Sequence, residues 1–166
     1  NSLDFLIFFV IFTTLYWSCK SKIYKQVLII FGSYIFYSFW NIYFLSIIIF
    51  STFFNYYVSL LMTDNKYNKN KRILFTISII VNLGLLFIFK YYNFFTESFL
   101  ALFNINGEYS YYSSVNIILP LGISFYTFQV ISYLADVMNE RSSPCKSILP
   151  FASYVCFFPQ LIAGPI

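Results

Sequence analysis

The 166-residue chain contains no histidine, and only ten lysines and arginines stand against six aspartates and glutamates. Without an imidazole, none of its serines or cysteines has the usual base that would make it a nucleophile within these residues. Charged residues are 10% and hydrophobic residues 60% of the chain, against about 25% and roughly 45–50% in ordinary soluble domains. That balance excludes a soluble globular domain. Cysteine is scarce too: Cys19, Cys145 and Cys156 have neither an even count suited to a disulfide framework nor the spacing of a metal site, and read as small buried hydrophobes or idle loop thiols. No glycine-rich phosphate cradle and no metal-ligand cluster occurs. The formal charge of +4 comes from lysines that flank hydrophobic runs rather than gather on a soluble face, so nucleic acid is not an expected partner.

What the chain has in abundance is uncharged sequence. Runs extend over Phe5 to Cys19, Gln26 to Thr63, Ile73 to Phe89, Tyr109 to Ala135 and Ser147 to Ile166. Several approach or exceed the ~20 residues that cross a hydrocarbon core as a helix, and they lack the short alternating segments of a membrane barrel. The fold class expected is all-α, a polytopic transmembrane helical bundle of about five to six segments, forming one membrane domain over residues 1–166 in contact with the lipid bilayer.

The run from Gln26 to Thr63 has 38 residues, about 57 Å as one straight helix, which no bilayer core accommodates unbroken. The break falls in "SFWNIY", where Trp40 and Tyr43 suit the headgroup level and Asn41 a tight connection, giving spans of roughly 27–40 and 42–62. The basic loops "KSKIYK" (Lys20, Lys22, Lys25) and "DNKYNKNKR" (Lys66, Lys69, Lys71, Arg72) then share one side. The positive-inside rule makes that side cytoplasmic. The N-terminus is therefore expected outside, with Phe5 to Trp17 a retained first span rather than a signal peptide, because no basic region precedes it and no small-residue cleavage site follows. Ile73 to about Phe89 carries the chain out to "KYYNFF", where Lys90 reaches the interface. Residues 97–117, with Glu97 and Glu108, are polar enough for an external loop, with a short interfacial helix as the alternative within it. Asn1 in place of methionine and the apolar "LIAGPI" at the other end read as cut or processed ends.

The stretch "ILPLGISFYTFQVISYLADV" departs from the apolar pattern. Pro120 suits the first turn of a helix, and at 100° per residue Gly122, Tyr126, Gln129, Tyr133 and Asp136 lie within about 60° of Gln129 on one side. Ile123, Thr127, Ile131 and Leu134 gather opposite. A mid-membrane glutamine needs hydrogen-bonding partners or water, so this stripe is expected to face a bundle interior or a wet cavity. The plain alternative is that Gln129 and Tyr133 merely tie helices together and that Asp136, beside Glu140 and Arg141, is a boundary charge. Whether 119–137 spans fully or is re-entrant stays open. In "FASYVCFFPQLIAGPI", Pro159 breaks the helix beside Gln160, and Gly164 and Pro165 break it again; the alternative is a helix end before a loop.

"LPLGISFYTFQVISYLADV" followed by "FFPQLIAGPI" resembles the membrane-bound O-acyltransferase family, in particular its bacterial alginate O-acetyltransferase branch. "SYIFYSFWNIYFLSIIIFSTFFNYYVSLL" and "LLFIFKYYNFF" are similar to that branch in order and spacing, so the resemblance covers nearly the whole chain. It implies a multi-span enzyme of the bacterial cytoplasmic membrane that moves an acyl group, usually acetyl, from a cytoplasmic thioester donor (acetyl-CoA or an acyl carrier) to hydroxyls of an extracytoplasmic polysaccharide. An extracytoplasmic acyltransferase that completes the transfer is a further candidate partner. The family's catalytic histidine lies beyond Ile166, so the chain is expected to be an incomplete N-terminal portion of the acyltransferase domain. It supplies tunnel-lining groups (Tyr126, Gln129, Tyr133, Asp136, Gln160) but no catalytic residue, no bound cofactor and no metal. Family members carry "DVYRGE" where this chain has "DVMNERSS", so no role transfers to that tyrosine and glycine. D-alanyl transfer, peptidoglycan acyl transfer, a polytopic transporter and a non-catalytic membrane subunit are the alternatives.

Overall fold

The structure, a computed structural model, describes residues 2–64, 70–102, 120 and 122–163. Among them are seven α-helices: α1 (Ser2–Ser18), α2 (Lys22–Trp40), α3 (Ile42–Thr63), α4 (Lys71–Leu102), α5 (Ile123–Met138), α6 (Ile148–Val155) and α7 (Phe158–Ala163). No strand occurs among the described residues. α3 and α4 are long and apolar enough to cross a membrane, and the chain forms a membrane helical bundle.

The long uncharged run breaks where its length demands. Asn41 is extended, donates its N–H to the Tyr37 carbonyl and accepts the Tyr43 N–H on its side-chain oxygen at 2.9 Å. One residue thus closes α2 and caps α3, satisfying backbone groups that hydrocarbon would leave unpaired. Hydroxyls inside apolar helices are handled the same way. Thr13, Thr14 and Thr52 donate to carbonyls four residues back, in Phe9, Val10 and Ile48, so little polar surface meets lipid.

α4 runs farther than its apolar segment implies. The expected span ends near Phe89, yet the helix continues through Lys90 and "KYYNFF" to Leu102, so Glu97 belongs to this helix, while residues 103–117 of the expected external loop lie outside the described residues. Its 32 residues reach about 48 Å, against a core of about 30 Å. The reason is that Lys90 marks the membrane interface without stopping the helix: its ammonium lies 5.5 Å from the Tyr91 ring centroid, and Tyr91, Tyr92 and Phe94 stay exposed.

The core lies where α3, α5 and α6 meet: Ile48, Val130, Leu134, Phe151 and Val155 are fully buried. α4 packs on α3 and α5, α2 on α3 and α6, and α7 on α2. A second, aromatic cluster holds α1: the Phe158 ring sits 5.4 Å from Phe8, 5.0 Å from Phe12 and 5.5 Å from Phe36. Close approach of α1 and α2 depends on Gly32, because a Cβ there would stand 2.7 Å from the Phe12 ring.

From α1 to α6 each helix doubles back on the one before it: the Phe12 ring faces Gly32, α2 and α3 pack together across the Asn41 connection, Asn55 meets Asn82, Lys71 meets Glu140 and Tyr133 meets Phe151. The α1–α2 turn, the start of α4 and the segment after α5 therefore share one end of the bundle, while α7 continues onward from α6. Lys71 at the start of α4 pairs with Glu140 just beyond α5. Lys71 and Arg72 of the second basic loop are at this end, whereas Lys66 and Lys69 lie outside the described residues.

Candidate functional site

The start of α5 differs from the expectation. Pro120 is not in the first turn; it precedes the helix, and its carbonyl accepts the Ile123 N–H at 3.3 Å. Gly122 is the N-cap residue with φ +70, a left-handed conformation that glycine adopts without a Cβ penalty. Gly122 is therefore a cap and not a member of the stripe. It also lets α7 approach, since a Cβ on it would stand 3.0 Å from Leu161 side-chain and carbonyl atoms.

The face that α5 buries is Ile123, Tyr126, Thr127, Val130, Leu134 and Val137. This is mostly the side expected to oppose the polar stripe, because α3 and α4 offer apolar surface and α5 turns its own apolar side toward them. The polar residues are distributed along the edge of that contact. Tyr126 is buried, and its hydroxyl finds no hydrogen-bond partner. Gln129 donates through Nε2 to the Tyr154 carbonyl of α6 at 3.2 Å, while its Oε1 is buried without a partner. Tyr133 packs its ring 5.0 Å from Phe151, accepts the Cys145 N–H at 3.0 Å and reaches the Ser59 hydroxyl at 3.5 Å. It ties the segment after α5 to α3. Asp136 stands apart, 47% exposed and 4.0 Å from Arg141, in the manner of a boundary charge.

The proline break is present. α6 ends at Val155 and α7 starts at Phe158, with Pro159 in the first turn of α7, where its missing N–H removes no helical bond. Phe157 O accepts the N–H groups of Gln160 and Leu161, each at 3.2 Å. The Phe158 N–H, left without an intrahelical partner, donates to Ser33 Oγ of α2 at 3.2 Å. Gln160 is half-buried and shares α7 with Leu161, the residue against Gly122. The structure thus brings Tyr126 and Gln129 together on successive turns of α5, sets Gln160 near the start of that helix, and separates Asp136 from them. Gly164 and Pro165 lie outside the described residues.

One polar constellation was not expected from the sequence. Asn55 of α3 and Asn82 of α4 are buried and exchange side-chain hydrogen bonds: Asn82 Nδ2 donates to Asn55 Oδ1 at 2.7 Å, and Asn55 Nδ2 to Asn82 Oδ1 at 3.1 Å. Ser78 adds a third bond to Asn55 Oδ1 at 2.8 Å. Each amide also donates to a carbonyl four residues earlier, Ser51 and Ser78 respectively. The signal was a Ser-x-x-x-Asn pattern within both apolar helices, Ser51–Asn55 and Ser78–Asn82. Because every amide atom is paired, this cluster fastens α3 to α4 and offers nothing to a ligand.

Outside the membrane segments, Lys71 holds the Glu140 carboxyl below its ordinary range, first through the hydrogen bond and then through its charge. No group of three or more Cys, Asp or Glu among the described residues is placed to hold a metal ion.

The chain is similar to curated proteins over nearly its whole length. It is 36% identical to a peptidoglycan O-acetyltransferase of Helicobacter pylori across 89% of this chain and 32% of that protein. It is 34% identical to the probable alginate O-acetylase AlgI of Azotobacter vinelandii across 96% of this chain and 32% of that protein. For the Pseudomonas aeruginosa protein of that name the figures are 33%, 96% and 31%. These matches bear out the resemblance to the O-acetyltransferases of the membrane-bound O-acyltransferase kind. The chain spans about a third of the length of the curated relatives it matches. No family model matches the chain, and no solved structure matches it.

Proposed function

We propose that this chain is part of a membrane O-acetyltransferase that moves an acetyl group to hydroxyls of an extracytoplasmic polysaccharide. The observation that carries the reading is the similarity of nearly the whole chain to proteins named for O-acetyl transfer to alginate and peptidoglycan. In this reading a thioester, acetyl-CoA or an acetylated carrier, donates the acetyl group from the cytoplasm. The acceptor oxygen forms the new C–O bond, its proton passes to a general base, the C–S bond breaks and the thiol leaves. In this reading the base is the histidine that the family resemblance puts beyond Ile166; these 166 residues contain none.

Tyr126, Gln129, Tyr133 and Gln160 contribute to the path that a substrate takes past α5 and α7. The orphaned Tyr126 hydroxyl and Gln129 Oε1 support this, because a buried polar atom without a partner is costly unless a ligand or water completes it. Asp136 marks the boundary of the path rather than its interior. In the whole protein, Gln129→Leu is expected to lower transfer of radiolabelled acetyl to polysaccharide roughly tenfold or more, with membrane expression retained. Unchanged turnover would remove Gln129 from the path.

The 36% identity to the peptidoglycan enzyme favours peptidoglycan as a second acceptor on an equal footing with a polyuronate such as alginate. Supplying each polymer to membranes that contain the whole protein, and following acetyl incorporation, separates the two. The same reading places the protein as a multi-pass protein of the bacterial inner membrane, with the basic end cytoplasmic and α1 entering from outside, and leaves room for an extracytoplasmic partner that completes the transfer.

A further inference from the structure

The basic groups at one end of the bundle are not equivalent. Lys71 is neutralised by Glu140, and Arg141 has Asp136 beside it. Lys20, Lys22 and Lys25 fall within six positions at the α1–α2 turn, and among the described residues none of them forms an ion pair. The acidic residue nearest in α1 is Asp4, in its first turn, more than ten residues and about 20 Å along the helix from the turn. The Lys25 ammonium lies 5.0 Å from the Tyr16 ring centroid and 5.7 Å from that of Trp17, contacts that place it among aromatic rings and leave its charge without a carboxylate partner among the described residues. Lys20 and Lys22 are exposed, flanked by Trp17 at 75% and Tyr24 at 69% exposure and by exposed Ile23.

Uncompensated ammonium groups ringed by outward aromatic and aliphatic side chains match an interface in which charge and hydrocarbon meet at one depth. Trp and Tyr settle at the headgroup level, and clustered lysines at that level attract anionic headgroups. We infer that the α1–α2 turn, through Lys20, Lys22 and Lys25 around Trp17, is a binding site for the phosphate headgroups of anionic phospholipids. The aliphatic and aromatic rim selects a lipid-borne phosphate over a soluble one, because a free phosphate gains nothing from Ile23 or Trp17. The inference requires only that the bundle sits in a membrane and stands apart from the acetyl-transfer reading.

The chain's two tryptophans provide the test, since Trp17 is at this turn and Trp40 at the opposite end of α2. The whole protein, with Trp40 and every tryptophan outside these 166 residues replaced by phenylalanine so that Trp17 alone fluoresces, is reconstituted in phosphatidylcholine vesicles that contain a minor, fixed fraction of acyl-brominated lipid, either phosphatidylglycerol or phosphatidylcholine. Brominated phosphatidylglycerol is expected to be enriched around Trp17 at least about twofold, read as excess quenching. The excess falls to parity in Lys20→Gln/Lys22→Gln and at high ionic strength, where the attraction is screened. It persists when millimolar glycerol phosphate is added at constant ionic strength. Equal quenching by the two lipids overturns the site, as does an equal excess at Trp40 in a Trp17→Phe protein. Loss of the excess to glycerol phosphate assigns the lysines to a small soluble phosphate instead. Should the double variant fail to fold, the salt titration of the unsubstituted lysines decides, and an excess indifferent to salt rejects the inference.

Discussion

Asn55 and Asn82 illustrate how a single polar side chain is made tolerable in hydrocarbon: each supplies the partner that the other lacks. Asn55→Leu leaves the Asn82 amide and the Ser78 hydroxyl short of a bond, and is expected to lower stability by about 1–2 kcal/mol. The double change Asn55→Leu/Asn82→Leu is expected to lose less than the sum of the two single changes, because it strands no buried amide. Unfolding of the micelle-bound protein by denaturing detergent measures both. Glu140 shows the opposite, exposed case. Its carboxyl titrates below the ordinary 4.5 because of Lys71, so the ion pair contributes fully above that value and its contribution is lost as the pH falls through the lowered folded value. Glu140→Gln is expected to abolish that part of the acid dependence. The effect is small and removable by salt, as for any solvated pair, and unfolding midpoints compared between pH 6 and pH 3, roughly the window that the carboxyl range sets, register it.

At the scale of elements, α7 is held by helices far from it in sequence. Its Phe158 ring is enclosed by α1 and α2, and its first N–H is received by Ser33 of α2. Gly32→Val, which drives a methyl-bearing Cβ into the Phe12 ring, is therefore expected to register not only at α1 but in faster hydrogen exchange of the α6–α7 break, with α3 and α4 left protected. Uniform loss of protection, or none at α7, would contradict this coupling. These dependencies also mark where sequence reading succeeds. The Asn41 break was legible because a run of 38 uncharged residues is physically too long for a bilayer, and Pro159 because a missing N–H is a local fact. The depth reached by α4 was not legible, since Lys90 signals an interface and says nothing about where helix formation stops. Nor was the buried face of α5: periodicity arranges Gln129 and Tyr133 on one side, but the neighbours choose which side is inward. The asparagine pair was obscured by a chain rich in asparagine, in which Asn55 and Asn82 gain meaning only when α3 lies against α4.

For the whole molecule, the alternation of helices gathers the α1–α2 turn and the segment after α5 at one end, with Asn41 at the other. In the inner-membrane reading, Ser21→Cys and Ser142→Cys in a protein cleared of its native cysteines are expected to react with a membrane-impermeant maleimide only in inverted vesicles, and Ser38→Cys only in intact cells. Labelling of Ser142→Cys from the outer face would be incompatible with the Lys71–Glu140 contact, which holds the segment after α5 beside the basic start of α4. The cage around Phe158 has a consequence in time as well as in space. Ser33 and the Phe158 N–H that it receives are 125 residues apart, and synthesis at about 5–20 residues per second separates their emergence by roughly 6 to 25 seconds. During that interval Phe8, Phe12, Phe36 and Ser33 are all made while their shared partner is not. Docking of α7 is therefore expected to be a late step of assembly, and a chain halted before Phe158 is expected to leave Phe8, Phe12 and Phe36 without the ring around which they gather.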